Sequence, residues 1–266
     1  MTIIGKKKIA VVGYTSAGMT AAGYAKTYNR LAEITVFEKR NYAIYHPCSI
    51  HDVLMGILPS WDAIIEKPPK MPGFKVYTST LVEDIDTSAK KVYARNLETG
   101  EKIVTEYDKL ILATGSLPYI PKAIKIEDKD RVYTVKTVED GKKIDEEAKK
   151  SKSVVVVGGS FIGIEMGYAL RKRGLEVTII EYFDQLMYGK LEPHIAKLLL
   201  KKLEKAGIRV VLGEGAKSIF SRNGKKVVTT KSGEYEGDFV IVATGVKPNT
   251  ELAEKMGIKL GPTGGI

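Results

Sequence analysis

Residues 153–181 read SVVVVGGSFIGIEMGYALRKRGLEVTIIE. A run of valines ends in paired glycines; a helical pattern follows, then a second apolar run that ends in an acid, Glu181. Short apolar runs of this kind suit strands buried on both faces of a parallel sheet. Strand, glycine turn, helix and acid-tipped strand together make a dinucleotide-binding unit. Gly158 permits the tight turn, and Gly163 lets the helix lie close against its strand. Ser160, Phe161 and Ile162 stand at the helix start, where free N–H groups and a partial positive charge face a pyrophosphate. Glu181 occupies the place of a carboxylate that holds a ribose 2′-hydroxyl. The residues after it, Tyr182 and Phe183, bring no cation, so the unit is expected to take NADH, with NADPH disfavoured.

Residues 8–38, KIAVVGYTSAGMTAAGYAKTYNRLAEITVFE, repeat the plan. Gly13 makes the turn, Gly18 the close helix packing, and Glu38, followed by Lys39, is the acid. Thr15 and Ala17 lie in the turn and first helical residues. Both copies depart from the pattern at the middle glycine, which is Thr15 in the first and Ser160 in the second. The likeness extends to the end of each half. Segments 74–116 and 209–245 alternate in polarity, carry turns at ETGE, RNG and KSGE, and close on Ala113-Thr114-Gly115 and Ala243-Thr244-Gly245. This is an internal duplication. It predicts an α/β chain of two Rossmann-like dinucleotide-binding domains (an FAD/NAD(P)-binding fold), each with a small antiparallel β-meander.

The composition narrows the function classes. The 266 residues are 44% hydrophobic, enough for one or two packed cores. The net charge of +10 comes from scattered lysines without a nucleic-acid module, which points to anionic small molecules rather than to nucleic acid. No apolar run reaches membrane-spanning length, so no membrane is expected. The N-terminus runs directly into a strand pattern, unlike a signal peptide. One cysteine excludes an internal disulfide and fits a reducing, cytoplasmic setting.

That cysteine, Cys48, lies in YHPCSIHD between His46 and His51. A buried spacer, a metal ligand and a nucleophile are the three readings. Three ligands within seven residues, one beside a proline, make an awkward tetrahedral set, so no metal is assigned. A helix starting near Cys48 would favour its thiolate, and so would a protonated His46 or His51. His51 stands three residues on and, in a helix, shares its face.

The ordered set VVGYTSAG, VFEK, ILATGSLP, VVVVGGSFIGIE, IIE and VATGVKPN resembles the flavin-dependent pyridine nucleotide–disulfide oxidoreductases, over nearly the whole chain. The resemblance implies an FAD-binding domain, 1–117, an inserted NAD(H)-binding domain, 118–246, and a partial return to the first at 247–266. It implies that Gly13, Gly18 and Glu38 bind FAD, with Thr114 and Gly115 close by. Gly158, Gly163 and Glu181 would bind NADH, with Thr244 and Gly245 in the matching place. Glu165 would lie near the nicotinamide, and Phe161 would cover the flavin or, alternatively, pack in the core. With one cysteine, the chain looks like the branch holding NADH oxidases, NADH peroxidases, coenzyme A–disulfide reductases and sulfur or polysulfide reductases. Cys48 matches that branch's redox cysteine, and a small molecule or sulfur species would be the substrate. His51 stands where relatives have proline, and Lys26 and Thr27 stand where coenzyme A-binding relatives carry a basic pair, so coenzyme A is disfavoured.

Relatives continue past KMGIKLGPTGGI into a flavin-contacting glycine–aspartate segment and a C-terminal dimerisation domain, both expected to be absent here. A homodimer or a partner chain supplying that part is the corresponding expectation. Two other functions compete with the cysteine-dependent oxidoreductase: a reductase of a small electron-transfer protein, which would not need Cys48, and a non-enzymatic nucleotide-binding subunit.

Overall fold

The computed structural model describes residues 5–266. Among the described residues, six α-helices are formed: α1 (Ser16–Tyr28), α2 (Ile50–Leu54), α3 (Val138–Lys150), α4 (Phe161–Lys172), α5 (Pro193–Lys205) and α6 (Glu251–Lys255). The chain divides into two compact units. Unit 1 holds the residues up to His46 together with Asp62–Ser116 and Pro248–Ile266; unit 2 holds Pro47–Trp61 and Leu117–Lys247.

Unit 1 is built on a four-stranded parallel sheet in the order Phe74–Tyr77, Glu33–Phe37, Lys8–Val12, Lys109–Leu112. Its strands are apolar because both faces are covered. Val11, Ile34 and Val36 join Ala22 of α1 in one core. Their strand neighbours Ala10, Val12 and Phe37 face the other way, against Val82, Ile85, Val92 and Ala94. This is the period-two alternation of a strand. The second set comes from a three-stranded antiparallel meander, Thr80–Asp86, Lys91–Asn96 and Lys102–Glu106.

Unit 2 repeats this arrangement. Its five-stranded parallel sheet runs Val132–Tyr133, Phe239–Val242, Ser153–Val157, Glu176–Ile180, Ile208–Val211. Val155, Val157, Val240 and Val242 pack against Ile219 and Val228 of a four-stranded layer, antiparallel except where Lys125–Ile126 joins it in parallel. The hairpin in that layer joins Ser218–Arg222 to Lys225–Thr229 through Asn223 and Gly224, with φ of 51° and 77°. Two left-handed residues in a two-residue loop match the twist of the flanking strands, which is why RNG reads as a turn. Among the described residues, no helix is long and apolar enough to cross a membrane.

The short segment 47–61, which contains Cys48, packs with unit 2 although the sequence places it inside the first domain. Helix α2 lies against α3 and α4. The indole of Trp61 fills the space above Gly141 of α3, where a Cβ would stand 2.6 Å from the ring. Helix α3 is firmly started: Thr137 and Asp140 form a reciprocal capping box.

Candidate functional site

Each unit carries a glycine turn between a strand of its parallel sheet, Lys8–Val12 or Ser153–Val157, and the helix that follows, and the two turns correspond position for position. Gly13 and Gly158 have φ of 91° and 117°, the left-handed region that glycine enters freely. A Cβ on them would stand 2.2 and 2.4 Å from the carbonyl oxygens of Ala113 and Ala243. Gly18 and Gly163 have no room for a side chain either; a Cβ there would meet the carbonyl of Gly13 or Gly158 at 2.0 and 1.9 Å. Thr15 and Ser160, the departures from the middle glycine, are the N-cap residues of α1 and α4 and hold ordinary extended backbone, φ −105° in both. That position asks for no left-handed conformation, so a residue with a Cβ is accommodated. Ala17 lies exposed in the first turn of α1, and Ile162 is half-buried in the first turn of α4.

The acids are placed by the same pair of backbone hydrogen bonds. In unit 1 the buried Glu38 accepts from the N–H of Tyr14 through Oε2 at 2.9 Å and from the N–H of Arg40 through Oε1 at 3.0 Å. In unit 2 the buried Glu181 accepts from the N–H of Gly159 through Oε2 at 2.5 Å and from the N–H of Phe183 through Oε1 at 2.9 Å. Each carboxylate is thus fixed beside its turn by backbone amides, with lone pairs left to accept further hydrogen bonds. Burial raises the pKa of the Tyr14 phenol, which packs under the first turn as a neutral group.

The surroundings of the two acids differ. The Arg40 guanidinium donates to Glu38 Oε2 at 2.5 Å and lies 4.5 Å from the centre of the Tyr45 ring. Its Nε is buried without a hydrogen-bond partner, a polar donor beside the acid. Lys39, the residue selected from sequence, is exposed instead. Arg40 was missed; a basic residue two positions after the acid was the available signal. Among the described residues, Glu181 has no salt-bridge partner, and the aromatic residues after it are exposed.

Thr114 and Thr244 are locked into the chain itself. Thr114 Oγ1 donates to the carbonyl of Asn249 at 2.6 Å, and Thr244 Oγ1 donates to the carbonyl of Tyr119, also at 2.6 Å. Gly115 and Gly245 accept from the N–H groups of Asn249 and Tyr119. The Ala-Thr-Gly pair therefore ends each closing strand in the same way.

Cys48 is exposed and sits in a single 3-10 turn, Pro47–Ser49, that leads into the five-residue α2. This is a shorter helical run than the sequence suggested. His51 lies in α2 three residues on, with its Nε2 3.4 Å from Asp52 Oδ1 and its Nδ1 3.6 Å from Glu165 Oε2 of α4. His46 pairs within unit 1: its Nε2 is 2.5 Å from Glu66 Oε1, beside the short pairing of Ile44–Tyr45 with Ile65–Glu66. Phe161, the first residue of α4, is 57% exposed, so it is not core packing. Among the described residues, no cluster of His, Cys, Asp or Glu side chains is arranged to hold a metal ion.

A cleft of about 760 Å³ opens on α1 between Tyr14, Tyr24, Arg30, Lys67 and Phe74. Lys26 also lines it, but its ammonium group donates to the carbonyl of Ala32 at 2.6 Å.

Comparison with known proteins agrees with this double cradle. A family model described as pyridine nucleotide-disulphide oxidoreductase matches residues 7–266. The chain is 38% identical to an NADH oxidase of Methanocaldococcus jannaschii, over 94% of this chain and 57% of that protein. It is 34% identical to an NAD(P)H sulfur oxidoreductase (CoA-dependent) of Pyrococcus furiosus, over 98% of this chain and 59% of the relative. Among solved structures, an NAD-dependent persulfide reductase from A. fulgidus superposes with a TM-score of 0.90 at 32% identity, covering 97% of this chain and 49% of that one. The chain thus spans a little over half the length of the curated relatives it matches. The matched segment runs through both glycine turns, both acids and the Cys48 turn, and on that ground the chain belongs to the pyridine nucleotide-disulphide oxidoreductase family.

Proposed function

We propose that the chain works as an NADH-dependent flavoprotein oxidoreductase, with FAD at the unit 1 cradle and NADH at the unit 2 cradle, and that electrons leave at Cys48. The observation that carries this reading is the doubled device of turn glycine, helix start and amide-fixed acid. FAD, when bound, supplies two-electron exchange between NADH and the acceptor. In unit 1 the turn after Gly13, the start of α1 and Glu38 hold the dinucleotide. In unit 2 the turn after Gly158, the start of α4 and Glu181 do the same. Glu181, with no cation to receive a 2′-phosphate, favours NADH over NADPH.

The acceptor is a disulfide, polysulfide, peroxide or oxygen. The names of the relatives, NADH oxidase on one side and sulfur or persulfide reductase on the other, support this range. At a mixed disulfide, two electrons break the Cys48–S–S–R bond and leave the Cys48 thiolate and RS⁻. Exposure of Cys48 gives such a substrate access. His51, one helical turn away, serves as the nearby imidazole that balances the thiolate.

Cys48→Ser separates this from a reductase that passes electrons directly to a small carrier protein. In the FAD-loaded variant, anaerobic NADH should still reduce the flavin at the wild-type rate. Turnover with polysulfide or a disulfide should fall at least 100-fold. Retained turnover with the sulfur acceptors would remove Cys48 from the reaction.

A further inference from the structure

Helix α1 has 13 residues and one charged side chain, Lys26, whose ammonium group turns back to the carbonyl of Ala32. In a chain that is 28% charged, the outer face of this helix therefore presents no charge. Thr20, Tyr24, Thr27 and Tyr28 recur at the spacing that shares one helical face, and all four are exposed, as is Gly23 between them. Tyr24 and Tyr28 are 62% and 79% exposed and stack on each other with ring centroids 6.4 Å apart. Leu31, just beyond the helix, is 61% exposed. The cleft beside α1, walled in part by Met71 and Phe74, continues the apolar surface past Tyr24.

The inner side of α1 rests on its own sheet, against Lys8–Val12, Glu33–Phe37 and Lys109–Leu112. Packing there accounts for Gly18 but not for Gly23, where a Cβ would meet nothing within 4 Å. A glycine inside a helix is unfavourable relative to alanine, and its use is the close approach of another backbone. The internal duplication supplies a contrast. In unit 2, α2 lies against α4, and the positions matching Thr20, Thr27 and Tyr28 hold Glu165, Lys172 and Arg173. The same helix is packed upon and charged in one unit, open and uncharged in the other.

Charge decides what fits the open face. At a net charge of +10, two copies of this chain repel over most of their surfaces. The outer face of α1 brings no cation to a contact, and it carries the aromatic side chains that dominate interface cores. An uncharged face is also compatible with itself across a two-fold axis. We infer that α1 is the contact face of a homodimer, with Tyr24 and Tyr28 of each copy packed on α1 of the other near Gly23. A helix of 13 residues is about 20 Å long, so the contact has the size of a reversible dimer and not of an obligate one. It uses none of the residues assigned to the two cradles or to Cys48, so it stands apart from the proposed reaction.

The test is sedimentation velocity of the full 266-residue chain from about 1 to about 200 µM, a range that brackets a reversible dimer. A monomer–dimer equilibrium is expected. Raising NaCl from about 50 to about 500 mM should tighten it about threefold or more, because screening weakens the repulsion between like-charged copies. Tyr24→Glu and Tyr28→Glu should each weaken dimerisation about tenfold or more, since each sets a charge against its own symmetry mate. Gly23→Gln should weaken it too, although its side chain has open space within one copy. Tyr28→Phe should dimerise as the wild type does. Leu198→Glu makes the same change of charge at an exposed position of α5 and should leave the equilibrium unchanged. Far-UV circular dichroism identical to wild type establishes that each variant keeps the fold. A wild-type chain that stays monomeric through the whole range would overturn the dimer. A dimer that persists unchanged in Tyr24→Glu and Tyr28→Glu, or that Leu198→Glu weakens as much, would overturn α1 as its contact face.

Discussion

At the scale of single residues, the surroundings of Cys48 differ most from the family pattern. His51 stands where the family resemblance sets a proline, and it lies between two carboxylates, Asp52 and Glu165. His51, three residues after Cys48, brings to these two carboxylates an imidazole that can hold a proton. Replacing it leaves both carboxylates in place. His51→Gln should therefore slow alkylation of Cys48 by iodoacetamide at neutral pH about threefold or more, and the lone thiol makes the rate unambiguous. A rate equal to wild type would leave His51 as packing between α2 and α4. In the sequence, the family resemblance singled out Cys48, and the three-residue spacing added His51. It gave no sign of Glu165 as a neighbour, because that contact joins residues more than a hundred positions apart. Likewise, the three-residue spacing of Cys48 and His51 read as a helix, but the chain makes only one 3-10 turn before the short α2.

At the scale of elements, the strand–turn–helix units were legible because their determinants are local. Glycines, apolar runs and acids within some thirty residues encode the turn, the helix start and the carboxylate. What was not legible is the turn of the Arg40 side chain back onto Glu38, which a two-residue spacing does not by itself fix, and, at long range, the packing of segment 47–61 against α3 and α4. The latter depends on Trp61 finding the bare backbone of Gly141, eighty residues away. The fit of helix to strand is the element's most sensitive point. Gly163→Ala would push a methyl group to within 1.9 Å of the Gly158 carbonyl oxygen, so α4 must move off its strand. The variant should unfold at lower temperature by roughly 1–3 kcal/mol of lost stability. It should also bind ADP-ribose at least tenfold more weakly, since the phosphate-facing amides move with the helix; normal melting and binding would show that the close approach is unnecessary.

At the scale of the whole molecule, the duplication is the organising fact. Two units share strand order around the turn, the amide-fixed acid and the threonine-locked closing strand. They differ in what surrounds the acid, a paired guanidinium in one and open aromatic rings in the other. On the proposed function, each cradle holds one dinucleotide and hydride passes from one ligand to the other. The most direct measurement is the visible absorbance of the purified 266-residue chain, with FAD added, before and after anaerobic NADH. The protein is expected to be yellow, with a visible flavin band that bleaches on addition of NADH. A chain that holds no flavin, or one whose bound flavin stays yellow in NADH, would contradict it.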